Sequence, residues 1–495
     1  MDFLDPKKKR AYNIRLFIGF VLTGIVLLLG TIVLALITSG FSINRHTGAV
    51  IQNGLVYINA QPQSASIYIN GTLYGQTNAR IELPEGQYNF DLRRTGYHDW
   101  TNTTQVQGGL IDELDYPFLF PLNPAITTAT TVAAQPDLVT ETPNQHYLLV
   151  SDPSDFGTFN VIDVTNPQAA ITSFTIPSNV LTSEPGTNSF QLVHWSTDNQ
   201  HVLLKHNYPG GSEYIMVDWT TPSNSFNASQ DFSTTPFTDI RLDNNNYSKL
   251  YLYNAPTQTL SLGDAAAKTV TPVLSSVLAY WPYGNNEILY TTPIAGNTTN
   301  VMAKLYDSGK SYNIRELPVS SSYLLNIASF NGNSYVVMGD SNDQVGYIYE
   351  NPLSEISGAR PGALPVPYTI FVINGTPEQI TFSTSAGYIE MQSSSQIAVY
   401  DIQAQTHFRY NIPVPIASGE LANWMDGNRL TLVSNSKLSI FDFDGTNLVK
   451  YTNDNAGYLP AFNSAYNAVY TTNETSNGQW EINRTSLIAT SSATS

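Results

Sequence analysis

Trp195-Ser-Thr-Asp-Asn-Gln-His-Val-Leu-Leu-Lys-His206, continued by Tyr214-Ile-Met-Val-Asp-Trp219, is the stretch whose reading decides the fold. A polar turn leads into a short strand, and a second strand follows that ends in an acid. The first strand type returns eight times: His146–Ser151, His201–His206, Lys249–Asn254, Glu287–Thr292, Ser334–Gly339, Gly387–Gln392, Arg429–Ser434 and Asn467–Thr472. Successive starts lie 55, 48, 38, 47, 53, 42 and 38 residues apart. The second strand type follows at Phe159–Val164, Tyr214–Trp219, Thr259–Asp264, Met302–Asp307, Val345–Glu350, Ile397–Ile402, Leu438–Phe443 and Trp480–Thr485. Seven of these carry an acid at or near the end: Asp163, Asp218, Asp264, Asp307, Glu350, Asp401 and Asp442.

An all-β repeat of this length predicts a β-propeller, because one unit cannot bury both faces of its sheet and stacking around a ring buries them. Eight blades are expected over residues 123–489; seven is the alternative count and a flat solenoid a more distant one. The array resembles the TolB-like and WD-repeat propellers, with Trp195-Ser-Thr-Asp198 and Trp424-Met-Asp-Gly427 as the nearest copies of their turn. Phe330-Asn-Gly332 and Phe462-Asn-Ser464 keep only its turn character. The last unit lacks a solid outer strand, since only Ser486–Ala489 and the polar tail 490–495 remain. Residues 125–132, rich in β-branched side chains, are expected to fill that place beside residues 480–485 and so close the ring.

Upstream, residues 54–120 show short alternating strands and turns. Val56, Ile58 and Ala60 alternate with polar neighbours, and Ile67-Tyr-Ile69 runs into the hairpin signal Asn70-Gly71. Pro84-Glu-Gly86 and Tyr88-Asn-Phe-Asp-Leu92 follow, with Gly86 read as a residue needed for positive φ. The stretch resembles the PEGA domain through Ile58–Pro62, Ala65–Gly71, Gly75-Gln-Thr77, Leu83–Gly86 and Arg94-Thr-Gly-Tyr97, although Gln87 stands where the naming motif has alanine. The resemblance implies a small β-sandwich of bacterial surface proteins that serves as a structural or interaction module.

At the N-terminus, Leu16 to Ile37 carries no charge over 22 residues. As a helix it spans roughly 33 Å, enough for a hydrocarbon core of about 30 Å. Lys7, Lys8, Lys9, Arg10 and Arg15 precede it, against Asp2 and Asp5. Cationic flanks stay inside, so residues 1–15 are expected in the cytoplasm and the body outside, beyond a stalk at 38–53. A cleaved signal peptide would have an apolar region of about 7–15 residues and a small-x-small site. This run is longer, and Thr38-Ser-Gly40 is a poor cleavage signal.

Beyond residue 15 the chain holds 17 Lys and Arg against 37 Asp and Glu, near −20. Such a surface argues against nucleic acid, which needs a basic face, and against an electrostatic grip on anionic lipid. With no cysteine there is no disulfide framework, so each domain must hold through its core. Tyr 30 and Phe 21 favour an all-β exterior.

No pattern calls for a cofactor, a metal or a catalytic set. An acid repeated in seven units does one task seven times, most simply accepting turn amides. Asp340-Ser-Asn-Asp343 and Asp442-Phe-Asp-Gly445 lack the spacing of a Ca²⁺ loop, and Ser434-Asn-Ser-Lys437 falls in a hairpin. His201 and His206, five apart on a strand, point to opposite faces and cannot share a metal. The candidate binding residues are Tyr280, Trp281 and Tyr283, an aromatic run expected on a turn, and Arg360 in the Pro/Gly-rich insert 351–367. Together these features predict a membrane-anchored binding or scaffolding protein of the bacterial cell envelope, with an envelope glycan or a protein as partner. The alternative is a propeller hydrolase or lyase acting on envelope polysaccharide.

Overall fold

The computed structural model describes residues 6–38, 41–43, 50–243, 245–284, 286–358, 363–417 and 419–489. It divides into two compact units, Met1–Leu122 and Asn123–Ser495.

In the first unit, one helix runs Pro6–Thr38. It begins inside the basic tail, where Pro6 suits a first helical turn and Lys, Arg and Ala continue it readily. Thr23, Thr31 and Thr38 each donate their hydroxyl to the carbonyl four residues back, at 2.8–3.0 Å, so none competes for an outside acceptor.

Two small sheets follow. Val50–Ile58 pairs with Phe41–Ile43, with Ala79–Pro84 and, in parallel, with Ile111–Leu114. The expected stalk at 38–53 is therefore corrected: residues 41–43 and 50–53 join the sheet, because they pair with each other and residues 53–58 pair on with Ala79–Pro84. The second sheet runs in the order Thr72–Gln76, Ser66–Ile69, Gly86–Arg93, Trp100–Val106. Val56, Ile58, Ile67, Ile69, Phe90, Leu92, Trp100 and Val106 are all buried. Asn70 and Gly71 adopt φ of 49° and 80°, the two-residue turn their types favour. Gly86 differs from expectation. It opens a strand without a positive φ, and a Cβ there would meet Tyr88 only at an ordinary 3.6 Å.

The second unit is a β-propeller of eight four-stranded antiparallel sheets. Blades 1–7 each use four consecutive strands: from Val139–Glu141 to Thr172–Thr175, Ser189–Trp195 to Phe226–Asn227, Asp239–Asp243 to Thr269–Leu274, Ala279–Tyr283 to Lys310–Pro318, Tyr323–Phe330 to Thr369–Val372, Pro377–Phe382 to Thr406–Asn411, and Asn423–Trp424 to Val449–Asn453. Blade 8 takes Ala461–Phe462, Ala468–Glu474 and Trp480–Ser486 from the end of the chain and Ile126–Val132 from its beginning. Val132 stands opposite Trp480 and Ile126 opposite Thr485, which is the closure expected from the missing outer strand. Val132, Tyr470, Trp480 and Ile482 of blade 8 then pack with Leu148, Val150, Ile162 and Val164 of blade 1.

The second strand of each blade is buried on both faces, and its alternation assigns one face to each neighbour. In blade 2, Val202 and Leu204 pack toward blade 1 while Leu203 packs toward blade 3. In blade 5, Val336 and Met338 face blade 4 while Tyr335 and Val337 face blade 6. Each fully buried aliphatic side chain contributes roughly 1.5–3 kcal/mol, so the seams carry most of the ring's stability.

The turn between first and second strands recurs as well. Gln145, Asn199, Ala386 and Tyr466 take φ of 56°, 61°, 57° and 48° at one equivalent place, each donating its amide three residues back. In blades 2 and 7 an aspartate organises this turn. Asp198 Oδ1 accepts from the amides of Gln200 and His201, and Asp426 Oδ1 from those of Asn428 and Arg429, all within 2.8–3.0 Å.

Candidate functional site

The first strands of blades 2 to 6 approach one another in succession, so they form the inner wall of the ring there. Strand pairing defines one equivalent position on the first strands of blades 1 to 6, occupied by Thr140, His194, Arg241, Trp281, Asn326 and Thr381 opposite Leu149, Leu203, Tyr251, Leu289, Val337 and Glu390. Several of these residues bond to the next blade. Thr140 accepts from Trp195 Nε1 at 2.9 Å and Thr381 from Trp424 Nε1 at 3.1 Å. Arg241 donates to the carbonyl of Tyr280 at 3.2 Å, and Asn326 to that of Ile380 at 3.2 Å.

This places the aromatic run. It lies in the innermost strand Ala279–Tyr283 of blade 4, not on a turn as expected. Pro282 is tolerated there because a first strand pairs on one side only. Tyr280 is buried toward blade 3, where its hydroxyl donates to Asp239 at 3.2 Å and its ring lies 5.3 Å from Tyr253. Trp281 and Tyr283 are half-buried and pack on the blade 4–5 side. Tyr280 and Trp281 nevertheless share one partner, since the Arg241 guanidinium lies 5.0 Å from each ring. Arg241 and Asp239, 3.5 Å apart, keep 35% and 39% of their side-chain surface. Arg241 is thus a half-exposed planar cation held against an indole on the inner wall, able to meet a planar or anionic group. His194 is nearby in charge terms: burial pushes its pKa down, and Arg241 lowers it further. Arg360 lies outside the described residues. In the surrounding insert, Pro352–Gly358 is helical, and Leu353 and Ile356 pack on the blade 4–5 cluster.

The histidines do not converge. His201 Nδ1 meets Asp198 at 2.6 Å while its ring stacks on Tyr247 at 3.6 Å. His206 is fully buried, with Nδ1 at 2.9 Å from Glu213 and Nε2 at 3.1 Å from Asn188 Oδ1. Phe156, Phe190 and Tyr208 surround it at 5.2–5.4 Å. Burial alone would raise the Glu213 carboxyl, but bonds from Thr182, His206 and Asn227 outweigh it and hold its pKa below the usual value.

The repeated acids serve turns in several blades. Asp163, Asp218, Asp264 and Asp401 each accept main-chain amides two or three residues on, at 2.8–3.1 Å. Glu350 instead clamps Asn333 and Tyr335 of its own blade. Asp340 accepts two amides of its own loop, and Ser434 and Lys437 pair across a two-residue hairpin. Among the described residues, no group of three or more His, Asp or Glu could hold a metal ion.

Glu390 and Asp454 are buried carboxyls to which the sequence pattern assigns no role. Glu390 is fully buried; Oε2 accepts from Thr381 at 2.9 Å and Gln379 at 3.2 Å, while Oε1 finds no partner among the described residues. Burial pushes it up to about 8, against the pull of those two bonds. Asp454, at the join of blades 7 and 8, is likewise raised by burial to about 8 although the amides of Thr472 and Asn455 bond to it. The available signal was the alternation Ile389-Glu-Met-Gln392 in a strand whose counterparts are apolar on both faces.

Residues 53–117 match the PEGA domain. No curated protein matches the chain. Among solved structures, the chain is similar to the Dos1 propeller, with 12% identity over 74% of this chain and 95% of that one and a TM-score of 0.46. It is also similar to Kluyveromyces lactis Hsv2, at 10% identity, 71% and 98% coverage and a TM-score of 0.38. Apo AztD from Citrobacter koseri gives 13% identity, 64% and 86% coverage and a TM-score of 0.39.

Proposed function

We propose that this chain is a single-pass membrane protein of the bacterial cell envelope. Its N-terminus lies in the cytoplasm, and its PEGA domain and propeller are presented outside as a binding or scaffolding platform. The observation that carries this reading is the helix itself. Within it Leu16–Ile37 is apolar around its whole circumference, and none of the helix's most apolar window is buried by protein. Phe17 and Phe20 are 68% and 70% exposed. A helix apolar on every side needs a nonpolar solvent, and lipid supplies it. The basic residues before it set the orientation. On the propeller, the Arg241–Trp281 pair of the inner wall is the contact we assign to an envelope glycan or a protein partner, since an indole stacks on a sugar face and a guanidinium binds its acidic substituents. Acidic charge over the rest of the exterior disfavours nucleic acid.

Protease added to intact, wall-stripped cells should remove the propeller and leave a small N-terminal fragment with the membrane. A protected C-terminus overturns the orientation. Full-length protein in nanodiscs, screened on acidic glycans, should lose retention when Arg241 becomes Ala. Unchanged retention removes that contact from the proposal.

A further inference from the structure

The helix does not end in open solvent. Ile37 and Thr38, its last turn, line a cleft of about 460 Å³ together with Phe41, Leu55, Leu110 and Ile111 of the small β unit. Phe41 follows Thr38 by three residues, so it lies within about 10 Å along the chain. It is already paired with Gln52 of the strand Val50–Ile58. On that same strand, Leu55 stands opposite Ile111. One end of the unit is thus fixed beside the end of the helix by strand pairing.

That end is unusually apolar for a surface. Leu110 and Ile111 are consecutive, 53% and 60% exposed. The turn that carries them is held rigidly. Gly109 donates to the Asn53 carbonyl at 2.9 Å, and the Leu110 carbonyl accepts from Leu55 at 3.0 Å. Gly109 has φ of 76°, a left-handed conformation that glycine adopts without strain, while the Gln52 amide end that a Cβ would meet there is free to swing aside. Arg80 and Glu82 also line the cleft, 3.9 Å apart and both more than 60% exposed, so their opposite charges leave no net charge there. Glu113 shares the face of Ile111 but lies two residues on, about 7 Å farther along the strand.

From this juxtaposition we propose that the Leu110–Ile111 corner is a membrane-interface contact, seated in the headgroup region of the bilayer that the helix crosses. The inference rests on the membrane-spanning reading of that helix. If its apolar run fills the hydrocarbon, Thr38 marks the outer interface, and everything lining a cleft with Thr38 lies within reach of the headgroups. A rigid, apolar corner without net charge at that depth buries Leu110 and Ile111 among upper acyl chains as interfacial helices do. Because the exterior is acidic, the contact is apolar rather than electrostatic, and neutral phosphatidylcholine is a sufficient partner. The contact fixes how the small unit sits on the membrane.

The chain has no cysteine, so single-cysteine variants of the full-length protein carry a spin label at one known place. Leu28→Cys in mid-helix, Leu110→Cys, and Leu73→Cys, which is 59% exposed and does not line the cleft, are reconstituted separately in phosphatidylcholine vesicles. Relative accessibility to oxygen and to a water-soluble nickel chelate reads the depth. The expected result is a lipid-like signature at 28, an interfacial one at 110 and an aqueous one at 73, unchanged when anionic lipid is added. A lipid-like label at 28 with position 110 indistinguishable from 73 overturns this inference and leaves the anchor standing. An aqueous label at 28 overturns the anchor reading and the inference with it. A contact at 110 that appears only with anionic lipid overturns its apolar nature.

Discussion

Blade 6 presents two unlike seams from one strand, Tyr388–Ser393. Its blade 5 side shows Ile389 and Met391, which pack with Val337, Ile348, Phe371 and Ile380 in a continuous apolar cluster. Its blade 7 side shows Glu390 and Gln392, both fully buried. There Gln392 bonds to the main chain of Ala422 and Glu420, Gln379 donates to Ala422, and Trp424 donates to Thr381, within 2.7–3.1 Å. The apolar seam draws its stability from surface removed from water, and it tolerates any side chains that fill the space. The polar seam gains less, because each bond replaces one to water, but it has a single satisfactory arrangement. In a ring of similar sheets, a seam with one arrangement can select which two blades meet.

The largest effect on this ring should come from opening it. Deleting residues 125–132 removes the outer strand of blade 8 and Val132 from the blade 8–1 cluster. Melting should fall by several degrees, with new proteolysis confined to blade 8; an unchanged melt would show that both kinds of seam hold without closure. Next in size is Ile389→Ala on the apolar side. It should cost about 2–5 kcal/mol in denaturant unfolding, and a smaller loss would mean that the cluster collapses around the gap.

The polar side responds to pH instead. Folded Glu390 titrates at about 8, above its ordinary 4.5. The folded protein keeps a proton that the unfolded chain releases between those values, so this group's contribution falls as pH rises through that window. The slope is up to about 1.4 kcal/mol per pH unit. Between pH 5.5 and 6.5 the wild type should lose that much more stability than Glu390→Gln, while Asp454 acts equally in both. Parallel curves for the two proteins would argue that the buried carboxyl is already ionised. The smallest effect should be Trp424→Phe, which removes the bond to Thr381 and should cost about 0.5–1.5 kcal/mol. Trp195→Phe, losing the matching bond to Thr140, should behave alike; a tenfold larger response at 424 would tie the tryptophan to the whole polar network.

Much of this architecture was legible in the residues. The eight repeats, the two-residue turn at Asn70-Gly71 and the spare strand at 125–132 follow from local period and turn chemistry, which act within a few residues. Seam contents were harder to read. Pairs of strands show that both faces of Tyr388–Ser393 are buried, but not that the Glu390 face meets the amides and indole of blade 7, some 30 to 40 residues on. For the same reason Tyr280–Tyr283 looked like a turn around Pro282. Its place in an inner strand shows in its pairing with Glu287–Thr291 and in its packing against Arg241, about 40 residues back. Residues 38–53 read as a stalk because Phe41 becomes a strand only by pairing with Gln52.

Every blade has two seams only if the ring is closed, and closure can be measured in this cysteine-free chain. Thr128 and Asn483 face each other across the joining strands, with Thr128 Oγ1 3.0 Å from Asn483 Oδ1. Antiparallel partners lie within disulfide reach. With both replaced by cysteine, the folded full-length protein should form one intramolecular disulfide under mild oxidation and resist unfolding more than its reduced form. Two free thiols in the oxidised, folded monomer would contradict the closed ring.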